Sequence, residues 1–312
     1  MSAIVDTRDL VEKLIAESSR LRINVEKRDR VYVLDCGVNT RPGLLVGKMI
    51  STLSMAGLAE VEIHAPYEQS LPFPSVRVLT DNPVSACLCS QAATWVIRSG
   101  DYVCYVSGPG RVLANKPRSF LDKLRDFIDV VDKEPIFIVE CLPVSMPPQD
   151  VIDKIANAVP DDRVYVLATS ALSLAGAVQI CSRVIEVALM RMLEFEDLSN
   201  IASAIGSCLV PPPRDDVYVS IAACNDCIRF TGQVCLIFNK YEGKYENLRK
   251  IVTEEFAPSF LDLVREHGPE FLTKAPMDMF TVAELIVFSG SSTRRSGRKH
   301  IDRILDYLKT IR

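Results

Sequence analysis

Residues 164–186 read VYVLATSALSLAGAVQICSRVIE and include the longest uncharged stretch of the chain, at 164–182. The first part, VYVLA, predicts a strand, and the last part predicts a buried helix over 175–193. An uncharged stretch of 19 residues is long enough to cross a membrane, but Thr169 and Gln179 interrupt it and its start is strand-like. We therefore expect a strand, a loop and a buried helix, and no membrane contact.

Strand and helix patterns alternate on both sides of this stretch. Asp6 or Thr7 can cap a first helix that runs to about residue 26. The predicted strands lie at 31–35, 61–65, 76–79, 102–106, 136–140, 164–168, 217–221, 234–238 and 284–288. The further predicted helices lie at 44–56, 83–93, 117–129, 147–158, 175–193, 244–254, 258–267 and 297–310. This alternation predicts a mixed α/β (α+β) fold.

Two proline clusters interrupt the alternation. Pro72 and Pro74 lie in LPFP, and three consecutive prolines occupy 211–213. Such clusters favour extended segments, which suit crossings between parts of a fold. We therefore expect two lobes: a first α/β lobe made of residues 1–74 and 212–312, and a second α/β lobe made of residues 75–211, which carries the buried helix.

Composition limits the classes of function. The 312 residues are 48% apolar, so the chain can bury a sizeable core. The 36 basic and 40 acidic residues leave a net charge of −4, which argues against a nucleic-acid partner and an anionic membrane surface. The first residues, MSAIVDTRDLVEK, lack the basic and apolar regions of a secretion signal, so we expect a cytoplasmic protein. Its partner is then a small molecule or another copy of itself.

The cysteines and histidines predict no metal site. The three histidines, at 64, 267 and 300, stand far apart and form no ligand-spaced pattern with cysteine. The stretches CLC at 87–89 and CNDC at 224–227 are more than a hundred residues apart, and the first spacing is atypical for zinc. Ten cysteines in a cytoplasmic chain are more often small apolar core residues.

Three short motifs carry weaker signals. SGPGR at 107–111 follows a predicted strand, and its glycines allow a ligand to approach the backbone, although a plain turn explains them equally well. Asn225 and Asp226, before a predicted strand CIRF, predict a turn, with a hydrogen bond to the edge of a heterocycle as the alternative. The basic run SSTRRSGRKH at 291–300 predicts a solvated loop, with contact to an anionic ligand tail or a partner as the alternative.

Three polar side chains share one face of the predicted helix at 175–193. Gln179, Arg183 and Glu186 are spaced by four and three residues, whereas the flanking AGAV and VALM are apolar. On a helix surface such an ion pair contributes under about 1 kcal/mol and is common. On a mostly buried helix, however, a charged pair is costly unless it lines a cavity. Arg183 and Glu186 are therefore candidates for a functional site.

In their order along the chain, these motifs resemble the methenyltetrahydromethanopterin cyclohydrolase family of methanogens, other archaea and one-carbon-metabolising bacteria. The resemblance spans nearly the whole chain. The matching stretches are DCGVN..PG (35–43), GLAEVEI (57–63), CSQAATWVI (89–97), GDYVCYVSGPGRVL (100–113), VYVLATSALSLAGAVQICSRVIE (164–186), IGSCLVPPPRDD (205–216), CNDCIRFTGQV (224–234) and the looser APMDMFTVAE (275–284). One departure is Gly110, where the family more often has alanine.

The resemblance implies an enzyme whose active site lies in a pocket between two lobes. It implies that Glu186 and Arg183 act in catalysis. By their positions in the matching motifs, the candidates for binding the pterin edges or an anionic tail are Gln91, Gly108, Arg111, Gln179, Asn225 and Asp226. The resemblance also implies a homo-oligomer, either a dimer or a trimer. No metal or cofactor is expected, because tetrahydromethanopterin is the carrier of the substrate.

The implied reaction is the reversible addition of water to the methenyl group of 5,10-methenyltetrahydromethanopterin, which gives 5-formyltetrahydromethanopterin. The methenyl carbon lies in an amidinium cation and is already electrophilic, so the protein has only to move protons. Glu186 is then the general acid/base, and Arg183 assists it by orienting the carboxylate. Two alternatives stay open: a relative that acts on a different folate-like one-carbon carrier, and a pterin-binding paralogue without turnover.

Overall fold

The computed structural model describes residues 5–66, 73–142, 144–241 and 243–309. Within them the chain forms two compact units, one from Met1–Glu60 with Val84–Gln179 (unit 1) and one from Val61–Pro83 with Ile180–Arg312 (unit 2). Each unit contains a six-stranded mixed sheet with helices, so the predicted mixed α/β class is confirmed. None of the described helices is long and apolar enough to cross a bilayer.

Most predicted strands are present. The strands are β1 (Asn24–Arg28), β2 (Val31–Asp35), β3 (Glu60–His64), β4 (Ser75–Thr80), β5 (Trp95–Ser99), β6 (Tyr102–Ser107), β7 (Ile136–Leu142), β8 (Val164–Thr169), β9 (Ile201–Leu209), β10 (Gln233–Phe238), β11 (Glu284–Ser289) and β12 (Ser292–Gly297). Four of them, β1, β5, β9 and β12, were not predicted. The basic run at 291–300, predicted as a loop, contains β12, which pairs antiparallel with β11.

Most of the predicted helices are present and are generally shorter than predicted, whereas the helices at Pro109–Leu113, Val217–Thr231 and Phe271–Lys274 were not predicted. They are α1 (Thr7–Ala16), α2 (Ser18–Leu21), α3 (Leu44–Ser54), α4 (Pro109–Leu113), α5 (Arg118–Leu121), α6 (Arg125–Ile128), α7 (Gln149–Ala156), α8 (Leu174–Cys181), α9 (Val184–Met192), α10 (Val217–Thr231), α11 (Tyr245–Leu248), α12 (Phe260–His267), α13 (Phe271–Lys274) and α14 (Ile301–Lys309). Asp6 caps α1 as predicted, because its carboxylate accepts from the amides of Arg8 and Asp9. The helix predicted at 83–93 is a π-helix at Val84–Gln91.

Three parallel strands form the centre of the unit 1 sheet, whose order is β1-β2-β8-β7-β6-β5. Strand β8 pairs in parallel with β2 on one side and with β7 on the other. Every residue of β8 is buried, because alternate side chains enter two different cores. Val166 packs in one core with Val139, and Leu167 packs in the other with Ile138. This double burial explains the nearly continuous apolar sequence of the strand.

The pairing of β2 with β8 corrects the expected lobes. We expected residues 1–74 to join residues 212–312, but the N-terminal segment supplies β1 and β2 to the sheet of unit 1. The proline clusters therefore do not mark the unit boundaries. These fall near residues 60, 83 and 179. Pro72, at one expected crossing, lies outside the described residues.

In unit 2, helices pack on one face of a sheet of order β12-β11-β10-β9-β4-β3. Helices α9 and α10 both contact β9, and Gly206 of β9 makes this approach close. A Cβ at Gly206 would lie 2.6 Å from Ile185 Cγ1 and 2.7 Å from Val184 Cγ1, both on the first turn of α9. The small side chains of β9 weaken its strand pattern in the sequence, which explains why the strand was not predicted.

The strand predicted at 217–221 was wrong, because these residues begin α10. The alternation in VYVSI is typical of a strand, but Asp216 caps a helix there and its carboxylate accepts from the amide of Val219 at 2.9 Å. The helix continues for 15 residues to Thr231. The turn predicted at Asn225 and Asp226 and the strand CIRF are therefore also wrong, since both lie within α10.

We expect Gly206→Ala to lower the free energy of unfolding of the protein by about 1–3 kcal/mol, because the added methyl group overpacks the contact between β9 and α9. Gly43→Ala is the control: its Cβ would meet only the end of the flexible Arg22 side chain, at 3.2 Å. Urea denaturation of both variants measures the difference. Equal loss in the two variants would contradict the close packing at Gly206.

Candidate active site

The helix that carries the predicted catalytic residues is interrupted. In place of one helix at 175–193 there are two, α8 and α9, with Ser182 and Arg183 between them. Gln179 lies on α8, so the prediction that it shares one helical face with Arg183 and Glu186 is wrong. The prediction holds only for Arg183 and Glu186. Arg183 is the N-cap residue of α9, and Glu186 lies in its first turn.

Arg183 and Glu186 form a buried ion pair. The distance from Arg183 Nη1 to Glu186 Oε2 is 3.4 Å, and the side chains are only 10% and 11% exposed. The end of the same helix offers a comparison: Arg191 lies in the last turn of α9 and Glu194 just beyond it, and the pair repeats the spacing at 2.6 Å with the Glu194 side chain 45% exposed. A carboxylate in the first turn of a helix is favoured by the helix dipole. Burial of the acid thus distinguishes the first pair from an ordinary surface pair.

The segment before Arg183 adjoins helix α10. The thiol of Cys181 lies 4.0 Å from the carbonyl oxygen of Cys224, the residue before Asn225. Asn225 is half-buried, and its side-chain amide donates to the carbonyl of Ile221 at 3.0 Å. The amide nitrogen is thus bonded to its own helix. Among the unit 2 candidates, Arg183, Glu186 and Asn225 lie on segments that contact one another.

Asp226 serves the start of helix α12. Its two carboxylate oxygens accept from the amides of Phe260 at 2.6 Å and Leu261 at 3.1 Å. Burial raises the pKa of this carboxyl to about 7, although these two hydrogen bonds and the nearby Arg229 act in the opposite direction. Burial also lowers the pKa of Arg229. The contacts described here stabilise unit 2, and contact of Asp226 with a substrate stays a prediction.

Three of the unit 1 candidates surround the end of the π-helix. The amide of Gly108 donates to the carbonyl of Ser90 at 2.8 Å. The guanidinium of Arg111, which is completely buried, donates to the carbonyls of Cys89 and of Leu88, the latter at 3.3 Å. Gln91 is the last residue of the π-helix and is also fully buried. Helices of this type are rare and occur frequently at functional sites.

The glycines of SGPGR are explained by packing within unit 1. Gly108 has a φ of +97°, and a Cβ there would lie 2.8 Å from the carbonyl oxygen of Ile136. A Cβ at Gly110 would lie 2.7 Å from the ring of Phe137. At Gly110, where we noted that the family more often has alanine, the large ring of Phe137 packs against the turn. These contacts fix the turn against β7, and contact of Gly108 with a substrate stays a prediction.

Unit 1 contains one more predicted candidate, Gln179, and two polar residues that were not predicted as candidates, Ser90 and Asp35. Gln179 is fully buried on α8, a helix that approaches α3 closely at Gly47. Ser90 donates its hydroxyl to the carbonyl of Ser54 at 2.7 Å and so anchors the π-helix. Asp35 accepts from the amide of Val38 at 2.8 Å and shapes the loop after β2. Ser90 lies in the matching stretch CSQAATWVI and Asp35 in DCGVN. Their positions in these stretches were the signal by which the sequence could have identified them.

The cysteines are in thiol form, and nine of the ten are buried. Burial raises the pKa of several of these thiols, including Cys36 and Cys141. Within the ranges that the structure describes, no three His, Cys, Asp or Glu side chains are grouped so that they could hold a metal ion. Packing of the apolar cores is therefore the role that the structure gives to these cysteines.

Known proteins match this sequence over nearly the whole chain. The family model described as Cyclohydrolase (MCH) matches residues 5–306. The chain belongs to this family. The methenyltetrahydromethanopterin cyclohydrolase of Methanothermobacter marburgensis is 31% identical over 299 residues, which cover 92% of each chain. The enzyme of the same name from Methylobacillus flagellatus is 31% identical over 317 residues, covering 96% of this chain and 91% of the relative.

A third relative of the same name, from Methanoregula boonei, is 33% identical over 279 residues, with 86% of each chain covered. Relatives from three genera, Methanothermobacter, Methanoregula and Methylobacillus, thus align with most of this chain. The aligned region includes the segment 183–186 and the π-helix, since the family model spans both. The alignment does not by itself assign a role to any residue.

We expect the Asp226 carboxyl to make the stability of the protein depend on pH. Its pKa is near 7 in the folded chain and has an ordinary value of 3.8, so the folded state holds the proton more tightly. This stabilisation is complete below pH 4 and is lost as the pH rises to about 7. Relative to Asp226→Asn, the free energy of unfolding should fall by roughly 1–4 kcal/mol over that range, at about 1.4 kcal/mol per pKa unit. Urea denaturation of both proteins at about pH 4, 6 and 8, which are near the lower end of this window, within it and above it, measures the difference. Parallel curves of stability against pH for the two proteins would contradict the prediction.

Proposed function

We propose that this chain catalyses the addition of water to the methenyl group of 5,10-methenyltetrahydromethanopterin, giving 5-formyltetrahydromethanopterin in a reversible reaction. The observation that carries the proposal is the buried pair of Arg183 and Glu186 at the start of α9. Membership of the cyclohydrolase family and the names of the relatives support the choice of substrate. The pterin is then the small-molecule partner.

Glu186 moves protons during the proposed reaction. Water adds to the methenyl carbon, a C–O bond forms, and Glu186 accepts a proton from the water. The neutral intermediate then collapses: the C–N bond to one ring nitrogen breaks, Glu186 returns its proton to that nitrogen, and the hydroxyl proton passes to solvent. In sum, a cation and water give a neutral formyl compound and one proton. The ambient pH therefore helps to set the direction.

Arg183 orients the carboxylate and favours its ionised form. Its guanidinium contacts Glu186 from the N-cap position, so the two side chains are held by the same turn of backbone. In a largely buried setting a carboxylate is stable as an anion only beside a positive charge or hydrogen-bond donors. The amidinium carbon of the substrate is electrophilic by itself, so these steps require no metal or cofactor. Gln91, Gly108, Arg111, Gln179, Asn225 and Asp226 remain the proposed binding residues.

We expect Glu186→Gln to lower kcat by ~10²–10⁴-fold, because the amide cannot accept and return the proton. Glu194→Gln is the matched control, since Glu194 lies at the same spacing from Arg191 and is exposed. It should retain full activity. Loss of the methenyl absorbance of purified substrate, followed after treatment with a chelator, measures the rate. Equal rates for Glu186→Gln and the unmodified chain would exclude Glu186 as the acid/base.

Two substitutions of Arg183 distinguish the effect of its positive charge from the effect of its size. We expect Arg183→Met to lower kcat by at least about tenfold, since the carboxylate loses its positive partner, and Arg183→Lys to recover part of that loss. Arg183→Met also leaves the buried Glu186 without its positive partner, so it should unfold at a lower urea concentration than Arg183→Lys, and the rates are compared under conditions in which both variants are folded. A methionine variant as active as the lysine variant would contradict an electrostatic role for Arg183.

The two alternatives have distinct outcomes in the same assay. A chain specialised for another carrier would hydrolyse methenyltetrahydrofolate with a higher kcat/KM than methenyltetrahydromethanopterin. A binding paralogue would bind the pterin, as seen by calorimetry, without loss of the methenyl absorbance. Turnover of methenyltetrahydromethanopterin with the higher kcat/KM supports the proposal over both.

A further inference from the structure

Two cavities adjoin in unit 2 at the segment that joins β12 to α14. The first, which we call the basic cavity, has a volume of about 530 Å³ and is lined by Gln233, Glu284, Arg295, Gly297, Arg298 and Lys299. The second, which we call the Phe256 cavity, has a volume of about 390 Å³ and shares Arg298 and Lys299 with the first. Volumes of this size are typical of small-molecule sites.

The basic cavity opens on the face of the unit 2 sheet that is turned away from α9. Helix α9 packs on β9 at Gly206, so the next residue, Ser207, faces the opposite side of the sheet. Gln233 and Glu284 are in register with Ser207 and share that side. The cavity is therefore separate from the proposed catalytic pair, and an inference about it does not depend on the proposed function.

Positive charge predominates in the basic cavity. Three of its lining side chains are positive and one, that of Glu284, is negative. Burial raises the pKa of the Glu284 carboxyl, but hydrogen bonds from Arg295 and Gln233 outweigh burial, and the pKa lies below its ordinary value. The ammonium of Lys299 is exposed and makes no hydrogen bond or ion pair within the part of the chain that the structure describes. The cavity thus keeps positive charge available to an anionic ligand.

The form of the donors matches a phosphate group. Guanidinium groups such as those of Arg295 and Arg298 bind phosphate through pairs of N–H donors, and a lysine ammonium adds a point charge. Helix α14 begins at Ile301, two residues after Lys299, and its N-terminal end carries a positive partial charge. Phosphate groups bind readily at such helix ends. Side chains and backbone therefore favour the same kind of ligand.

An exposed aromatic ring borders the same cations. Phe256 is 90% exposed and lines the Phe256 cavity. Its loop is held on both sides, because Arg303 donates to the carbonyl of Glu255 at 3.3 Å and to that of Ala257 at 3.1 Å. The carboxylate of Glu255 also pairs with Arg298. The chain thus holds an apolar ring in water beside the basic cavity, where the ring adds nothing to the core and is open to stacking.

We propose that unit 2 binds a nucleotide across the two cavities, with its phosphates in the basic cavity and its base stacked on Phe256. Stacking on an aromatic ring accepts any base, so the ligand class is a nucleoside di- or triphosphate. Asp302 lines the Phe256 cavity, where its carboxylate can accept from the ribose hydroxyls. The carboxylates of this cavity would repel an anionic membrane, which is the other surface that cations beside an exposed ring could bind.

Calorimetry with ATP tests the phosphate end of the site. The unmodified chain should bind ATP with a Kd below about 1 mM at roughly 0.1 M salt. Lys299→Glu should raise this Kd at least about tenfold, because it places a negative charge against the phosphates. Lys274→Glu is the matched control, since Lys274 is a 72% exposed lysine of unit 2 that lines neither cavity. It should bind ATP as the unmodified chain does.

Inorganic triphosphate distinguishes the two ends of the site. Phe256→Ser should raise the Kd of ATP at least about fivefold, the loss of one stacked base, and should leave the Kd of triphosphate unchanged. Lys299→Glu should weaken both ligands. GTP should bind within about fivefold of ATP, since stacking tolerates either base. Both side chains are exposed, so the variants should unfold at the urea concentration of the unmodified chain and, without nucleotide, should keep its rate of methenyl loss.

Three results would overturn the proposal. The first is an unmodified chain that binds neither ATP nor GTP at about 1 mM. The second is ATP binding that Lys299→Glu and Phe256→Ser both leave unchanged, since the nucleotide would then bind elsewhere. The third is displacement of ATP by methenyltetrahydromethanopterin, which would assign these cations to the anionic tail of the pterin. Each result concerns binding alone, so it is distinct from a failure of the proposed catalytic function.

Discussion

The parallel pairing of β8 with β2 and β7 is the constraint on which unit 1 depends. Because β8 is buried on both faces, its side chains must be apolar along its whole length, and its neighbours must bring helices to both sides. This requirement draws the N-terminal segment into the same sheet as residues from the middle of the chain. The loop after β2, shaped by Asp35, and the turn after β8 then follow parallel strands at the same edge, where α/β proteins commonly bind ligands.

The central strands and the catalytic candidates could be predicted from the sequence because their signals are local. A strand such as β8 is continuously apolar, and the spacing of Arg183 and Glu186 is fixed by one turn of helix. The strands β1 and β12 could not be predicted in this way, since NVEKR and STRRSG are polar and become strands only by pairing with β2 and β11. The helix at 217–221 was missed for the opposite reason: the cap at Asp216 outweighs a strand-like alternation.

Residues that share one sequence pattern can differ in how far they are buried. The pairs Arg183–Glu186 and Arg191–Glu194 share the same pattern, yet only one of the two glutamates is withdrawn from water. Asp226 and Arg111 lie in matching stretches, and the hydrogen bonds described for them join them to backbone amides and carbonyls of their own unit. A motif can thus combine residues that react with residues that hold the reacting ones in place. Only the contacts of each side chain tell these roles apart.

The nine buried thiols have a consequence for the handling of the protein. A reagent in solution reaches them only when the surrounding structure opens, because both access and the thiolate form are suppressed in the folded state. Their rates of modification therefore report how often each unit opens, with Cys36 and Cys141 for unit 1 and Cys227 for unit 2. The cysteines of this chain form a built-in set of probes for local unfolding, distributed over both units and requiring no engineered label.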